Sequence, residues 1–148
     1  MMKYLFLTIL ISFVLYSCKK KEQTLDPVPV INLVNVTPTT IVQFKDSVLV
    51  TIHYKDNNGD IGDQSPGEYS LSVKDSRLSV ADWYHVQPLA PLGQELKFEG
   101  NIQVKINTMF LLGNGKQEFS TLSIKLKDRA GHWSNEISTP AITINDSL

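Results

Sequence analysis

The chain has 148 residues, 14 Lys and Arg against 15 Asp and Glu, a formal net charge of −1 and a single cysteine. That length suits one domain plus an appendage. The balanced charge does not suggest a nucleic-acid binder, and one thiol excludes an internal disulfide or a two-cysteine redox pair.

In chain order, Lys3 comes first and is followed by an uncharged apolar run, Tyr4 to Leu15. A membrane-spanning helix needs ~20 apolar residues, whereas a positive start and an apolar stretch of roughly 7 to 15 describe a secretory signal. Residues 1–17 are therefore expected to be an export signal. The stretch Leu15-Tyr16-Ser17-Cys18 resembles the lipobox read by the lipoprotein signal peptidase, with Leu at −3, a small residue at −1 and Cys at +1. The resemblance implies cleavage before Cys18, a diacylglyceryl group on its sulfur and a further acyl chain on the freed amino group. Two or more chains anchor stably, where one alone is marginal. The competing reading is an ordinary free cysteine, but the only cysteine stands where the lipid chemistry needs it. Once it is acylated, no thiol nucleophile remains.

Loss of residues 1–17 removes Lys3 and no acid, which takes the net charge to −2. Lys19-Lys20-Lys21 then reads as a solvated start to a tether near anionic headgroups. Residues 18–29 are polar, proline-punctuated and without a periodic apolar face. Extended at roughly 3 Å per residue, such a tether holds a domain ~30 Å off the bilayer. Lys19 to Glu22 lacks the acidic cluster of surface-export signals, so the expected address is the outer membrane, on its periplasmic side.

Residues 30–148 are patterned with period two, not 3.6. In Ser47 to Tyr54, Val48, Val50, Ile52 and Tyr54 share one pleat face, and Leu49, Thr51 and His53 share the other. The same alternation runs through Tyr69 to Lys74, Ile102 to Asn107 and Leu122 to Lys127. Weaker strands are expected at Val30 to Val36, Asp82 to Val86, Glu95 to Glu99 and Ala141 to Ile144. Turn clusters separate them at Asn57 to Asp60, Ser65 to Gly67, Gly113 to Gly115 and Arg129 to Gly131. Seven or eight short strands with one polar face each predict an all-β fold, an immunoglobulin-like antiparallel β-sandwich. A small barrel is the competing architecture.

Three places offer chemistry. In Lys55 to Asp63 the oxygen-bearing residues Asp56, Asn58 and Asp60 recur at alternate positions, with Asp63 nearby, as a structural Ca²⁺ would require. The loop is not an EF-hand: Ile61 replaces the sixth-position Gly, Gly67 replaces the twelfth-position Glu, and strands flank it. The plainer reading is a polar hairpin loop that caps its own backbone. The second place, Lys127 to Asn135, holds Asp128 and His132 but no nucleophile motif, and reads as a turn with Trp133 packed at the sandwich edge. The third is the set Trp83, Tyr84 and Trp133. Exposed rings of this kind stack on sugars and peptides, although core or rim packing is the commoner fate. His53, His85 and His132 lack zinc-ligand spacing. No catalytic residue is expected.

Taken together, Tyr54 to Gly62, Pro88 to Gly93 with Gly100 to Val104, and Asp128 to Asn135 resemble short Gram-negative envelope lipoproteins with an immunoglobulin-like domain. In that group the first loop usually reads Asp-Gly-Asp-Gly-Asp, so Asn57-Asn58-Gly59-Asp60 carries one carboxylate fewer. Residues 128–135 also resemble the Asp-x-Ala-Gly-Asn-x-Ser signature of bacterial immunoglobulin-like and fibronectin-like repeats, with His132 in place of Asn. The resemblance implies a fold and an envelope address, and no reaction. The expected protein is a membrane-anchored, non-enzymatic module that binds an envelope protein or a glycan. The alternative is a calcium-stabilised structural spacer.

Overall fold

A computed structural model describes residues 26–94, 96–107 and 109–147. The expected signal of residues 1–17, the lipidated Cys18 and most of the 18–29 tether lie outside the described residues.

The described chain is all-β and has no helix. Its ten strands are β1 (Val30–Thr37), β2 (Thr40–Val42), β3 (Val48–Asp56), β4 (Leu71–Asp75), β5 (Asp82–Tyr84), β6 (Phe98–Ile106), β7 (Gln117–Ser120), β8 (Leu122–Leu126), β9 (Ile137–Ser138) and β10 (Ile142–Asn145). They form three sheets, ordered β1-β3-β6, β2-β10-β7 and β5-β4-β8-β9. None closes on itself, which excludes the barrel. Every pairing is antiparallel except β10 with β2.

The alternation read from the sequence decides which face is buried. Val48, Val50 and Ile52 are fully buried and Tyr54 nearly so. Across the register Val48, Val50 and Ile52 face Ile106, Val104 and Ile102 of β6. The large Tyr54 ring faces Gly100, the one residue small enough to let it lie flat, since a Cβ there would stand 3.0 Å from the Tyr54 hydroxyl. From the four-stranded sheet Leu71, Val73, Leu122, Ile124 and Leu126 enter the same hydrophobic cluster, and Ile142 and Ile144 enter it from the third. All three sheets therefore share one core.

The chain passes repeatedly from one sheet to another, and two of these passages fall around β8 and β9. Thr121 alone separates β7 from β8, and its N–H donates to Ser76 Oγ at 3.1 Å. Residues 139–141 part β9 from β10 in the same way. Asn135 then ties the sheets sideways, accepting from Ile31 N–H and donating to Ile31 C=O at 2.9 Å each. Of the expected strand at Glu95 to Glu99, Phe98 and Glu99 belong to β6, which runs from Phe98 to Ile106, Leu96 and Lys97 lie in no strand, and Glu95 falls outside the described residues. Strands β2, β7 and β9 are additional.

Beside the core lies a charge network. Arg77 grips Asp75 with Nε (3.0 Å) and Nη2 (2.7 Å), while Nη1 reaches Glu118 Oε2 at 2.7 Å and Phe110 C=O at 2.8 Å. Burial alone would push the Asp75 carboxyl up, but hydrogen bonds from Arg77 and Ser120 outweigh it and hold the group below the usual aspartate range.

Candidate metal centre

The loop that leaves β3 is held from two sides. From the 128–132 turn, Arg129 N–H donates to Asp60 C=O at 3.0 Å, the Arg129 guanidinium donates to Gly62 C=O at 2.7 Å, and Ala130 N–H donates to Asp60 Oδ2 at 3.3 Å. A bridge between Ile61 and Asp128 joins the same two segments. From residues 86–96, Leu89 N–H donates to Ile61 C=O at 3.1 Å, and Val86 C=O accepts from Asp63 N–H at 2.9 Å. Ile61, 1% exposed, plugs the loop into the core.

Two glycines make this close fit possible. Gly59 has φ +68°, and a Cβ there would lie 2.7 Å from the Leu96 carbonyl oxygen. Gly62 has φ +83°, and its Cβ would collide with the Gln87 carbonyl. Gly62→Ala combines left-handed strain with a backbone clash and is expected to cost at least about 2 kcal/mol. Gly93, at φ +74°, has nothing within 4 Å of a Cβ, so Gly93→Ala should cost only about 1 to 2 kcal/mol from strain alone. Urea unfolding midpoints of the two variants measure the difference.

Inside the clamp the oxygens are unevenly used. Asp60 N–H donates to Asp56 Oδ2 at 2.9 Å, and Ala130 N–H takes Asp60 Oδ2. Asp56 Oδ1, Asn58 Oδ1 and Asp60 Oδ1 are buried without a hydrogen-bond partner. A buried acceptor left unsatisfied costs about 1 to 3 kcal/mol, and a charged one more. The charge adds to this. Burial, then the negative charges of Asp128 and Asp56, push the Asp60 carboxyl above the usual aspartate range. Arg129 offsets part of the repulsion, but its guanidinium bonds carbonyls and not carboxylates.

Three unpaired hard oxygens at alternate positions, two of them from carboxylates, are a donor set that Ca²⁺ accepts, since it takes carboxylate, amide and backbone carbonyl oxygen together. Among the described residues no three His, Cys, Asp or Glu side chains form a metal-holding group. A cation here would rest on Asp56, Asp60 and the Asn58 amide oxygen. Asp63 plays another part, its Oδ1 accepting from Ser65 N–H at 2.8 Å in a local turn. The hollow over the loop is lined by Asn58, Asp60, Gly93, Gln94 and Arg129.

The other sequence candidates fall elsewhere. Asp128, fully buried at its side chain, accepts from His132 N–H at 2.7 Å and from the His132 ring at 2.8 Å, which locks the turn that braces the loop. His53 bonds Asn101 and His85 bonds the Glu68 carbonyl. Core or rim packing is the expectation for the aromatic set, with Trp133 at the sandwich edge. Tyr84 packs against the core, whereas Trp83 is 47% and Trp133 36% exposed, so neither tryptophan is a core residue. Their rings meet in a tilted pair with centroids 5.7 Å apart. Sequence spacing also leaves out the bracing role of Arg129, although the glycines at 59 and 62 mark where a close approach had to occur. Comparison with known proteins finds no match, whether to a family model, a curated protein or a solved structure.

Proposed function

We propose that this chain is a non-enzymatic envelope lipoprotein whose domain is a calcium-stabilised structural spacer. The observation that carries the reading is the trio of buried, unpartnered oxygens on Asp56, Asn58 and Asp60. Bound Ca²⁺ supplies positive charge and the missing partners together. Asp56 and Asp60 supply the negative charge, Asn58 a neutral oxygen, and Arg129, Gly59 and Gly62 keep the loop in shape.

The fold we propose is the immunoglobulin-like sandwich. Support comes from the orders β1-β3-β6 and β5-β4-β8-β9, whose inward residues meet in one core, and from β2 lying parallel to β10 beside them. Residues 30–148 would be that domain. Residues 18–29 would be its tether, and Cys18, exposed by removal of residues 1–17, its acylated anchor in the outer membrane. Support for the anchor is the charged start, the short apolar run and the lipobox-like Leu15 to Cys18.

Each half has its own test. Calcium added to ¹⁵N-labelled domain should shift the amides of residues 56–62, Gln94 and Leu96 in a saturable way, and shifts scattered over the surface, or none, would contradict the site. Cys18→Ser is expected to leave the precursor at its full length and without label when cells are fed radioactive palmitate. A processed, membrane-bound Cys18→Ser protein would contradict the anchor.

A further inference from the structure

Away from the calcium loop, the outer face of the four-stranded sheet carries an arrangement that the spacer reading does not use. Cross-strand register places Trp83, Ser72 and Lys125 side by side across β5, β4 and β8, and places Lys74 beside Ser123 one step along. Lys127 pairs with Trp133 just past the end of β8. Directly opposite residues point to the same side of a sheet, so these side chains share one face. Both tryptophans of the chain stand there.

The chemistry of this face is specific. Lys125 and Lys127 hold their ammonium groups 5.3 and 5.6 Å from the Trp133 ring centre, close enough for cation–π attraction to fix ring and charge together. Beside them runs an open polar groove of about 480 Å³, lined by Ser79, Ser123, Lys74 and Lys125, with the buried Ser72 and with Ser76, whose Oγ already accepts from Thr121 N–H, at its wall. The one acid of its lining is Glu136. A chain of net charge −1 thus gathers three lysines on one face, which is a local feature and not a consequence of overall basicity. The exposed rings offer rigid flat surfaces at little entropic cost, and the cation–π contacts hold them ready.

We infer that this face binds an acidic saccharide chain, stacking sugar rings on Trp83 and Trp133 while Lys74, Lys125 and Lys127 meet the carboxylates. Serine hydroxyls both donate and accept, as sugar hydroxyls do, and so suit a polyol better than the edge of a base. An acidic peptide offers carboxylates to the lysines but no flat C–H face to lie against the two rings, which makes it the competing ligand in the test. The site shares no residue with the 56–62 loop, so it stands or falls separately from the calcium.

Intrinsic fluorescence is a direct readout, since both tryptophans lie on this face. The full-length chain in detergent with saturating Ca²⁺ is titrated with hexasaccharides of hyaluronan, heparin and polygalacturonate, with neutral chitohexaose, with poly-glutamate and with a single-stranded oligonucleotide. At least one acidic hexasaccharide is expected to give a saturable, salt-sensitive emission change, with chitohexaose at least tenfold weaker. Trp83→Ala and Lys125→Gln should each weaken binding tenfold or more while the melting curve stays unchanged. Lys74→Gln, an exposed position, covers the case in which Trp83→Ala fails to fold. No saturable change with any acidic hexasaccharide overturns the inference. So does full affinity in the folded lysine variants, or binding of poly-glutamate or the oligonucleotide as tight as that of the saccharide.

Discussion

Asp60→Asn is expected to raise the melting temperature measured in EDTA and to abolish the rise that calcium produces in the native domain. Without a cation, the Asp60 carboxylate faces Asp56 and Asp128 in a partly buried loop, and its raised pKa records that the charged form is disfavoured there. An amide of the same shape removes the repulsion and so stabilises the apo form. It also removes a charge the cation needs. A ligand at 100 times its Kd stabilises the folded state by about 2.7 kcal/mol, which at about 4 °C per kcal/mol is a rise of about 10 °C for the native domain. A polar loop without a cation role would give the same melting curve in calcium and EDTA, and the variant would then lose nothing.

Arg77→Ala is expected to cost about 3 kcal/mol, the low end for removing one partner from a buried ion pair. The Arg77 and Asp75 side chains are only 14% and 10% exposed, and Arg77 joins the end of β4 to β7 and to the Phe110 carbonyl. Its loss strands Asp75 as a buried charge with Ser120 as its remaining side-chain donor. The pH dependence carries the same signature. The folded Asp75 carboxyl titrates below its unfolded value, so its contribution is fully present above about pH 5. It is lost as pH falls through about 4 toward the depressed folded value. Urea unfolding at pH 7 and pH 3 should show that native stability drops on acidification more than that of Arg77→Ala, because the variant has already lost the pair. An equal loss in both proteins would contradict the network.

Strands with one buried face were legible. Val48, Val50, Ile52 and Tyr54 alternate because water is excluded from one side of β3, and the burial pattern of that strand repeats the sequence pattern. Strand β7 was not legible. Its one large apolar side chain, Phe119, is 61% exposed, so no dry face marks the segment, and backbone pairing to β10 holds it there. Strand β9 has two residues, too few for any period. The alternate oxygens of Asp56, Asn58 and Asp60 were visible as spacing. Their brace was not, because Ala130 is 70 residues from Asp60 in the chain and nothing local links the two. Trp83 misleads for a related reason: large aromatic residues favour burial, but register assigns it, like Trp133, to the outer face of the sheet.

Equilibrium dialysis of the domain against ⁴⁵Ca²⁺ is the most direct measurement of whether the loop oxygens hold a cation. About one calcium per chain is expected, with a Kd of about 10⁻⁴ to 10⁻³ M, the range of extracellular calcium modules, and none in a folded Asp56→Asn, Asp60→Asn double variant. No bound calcium at millimolar concentration, or undiminished binding in that variant, would contradict the account.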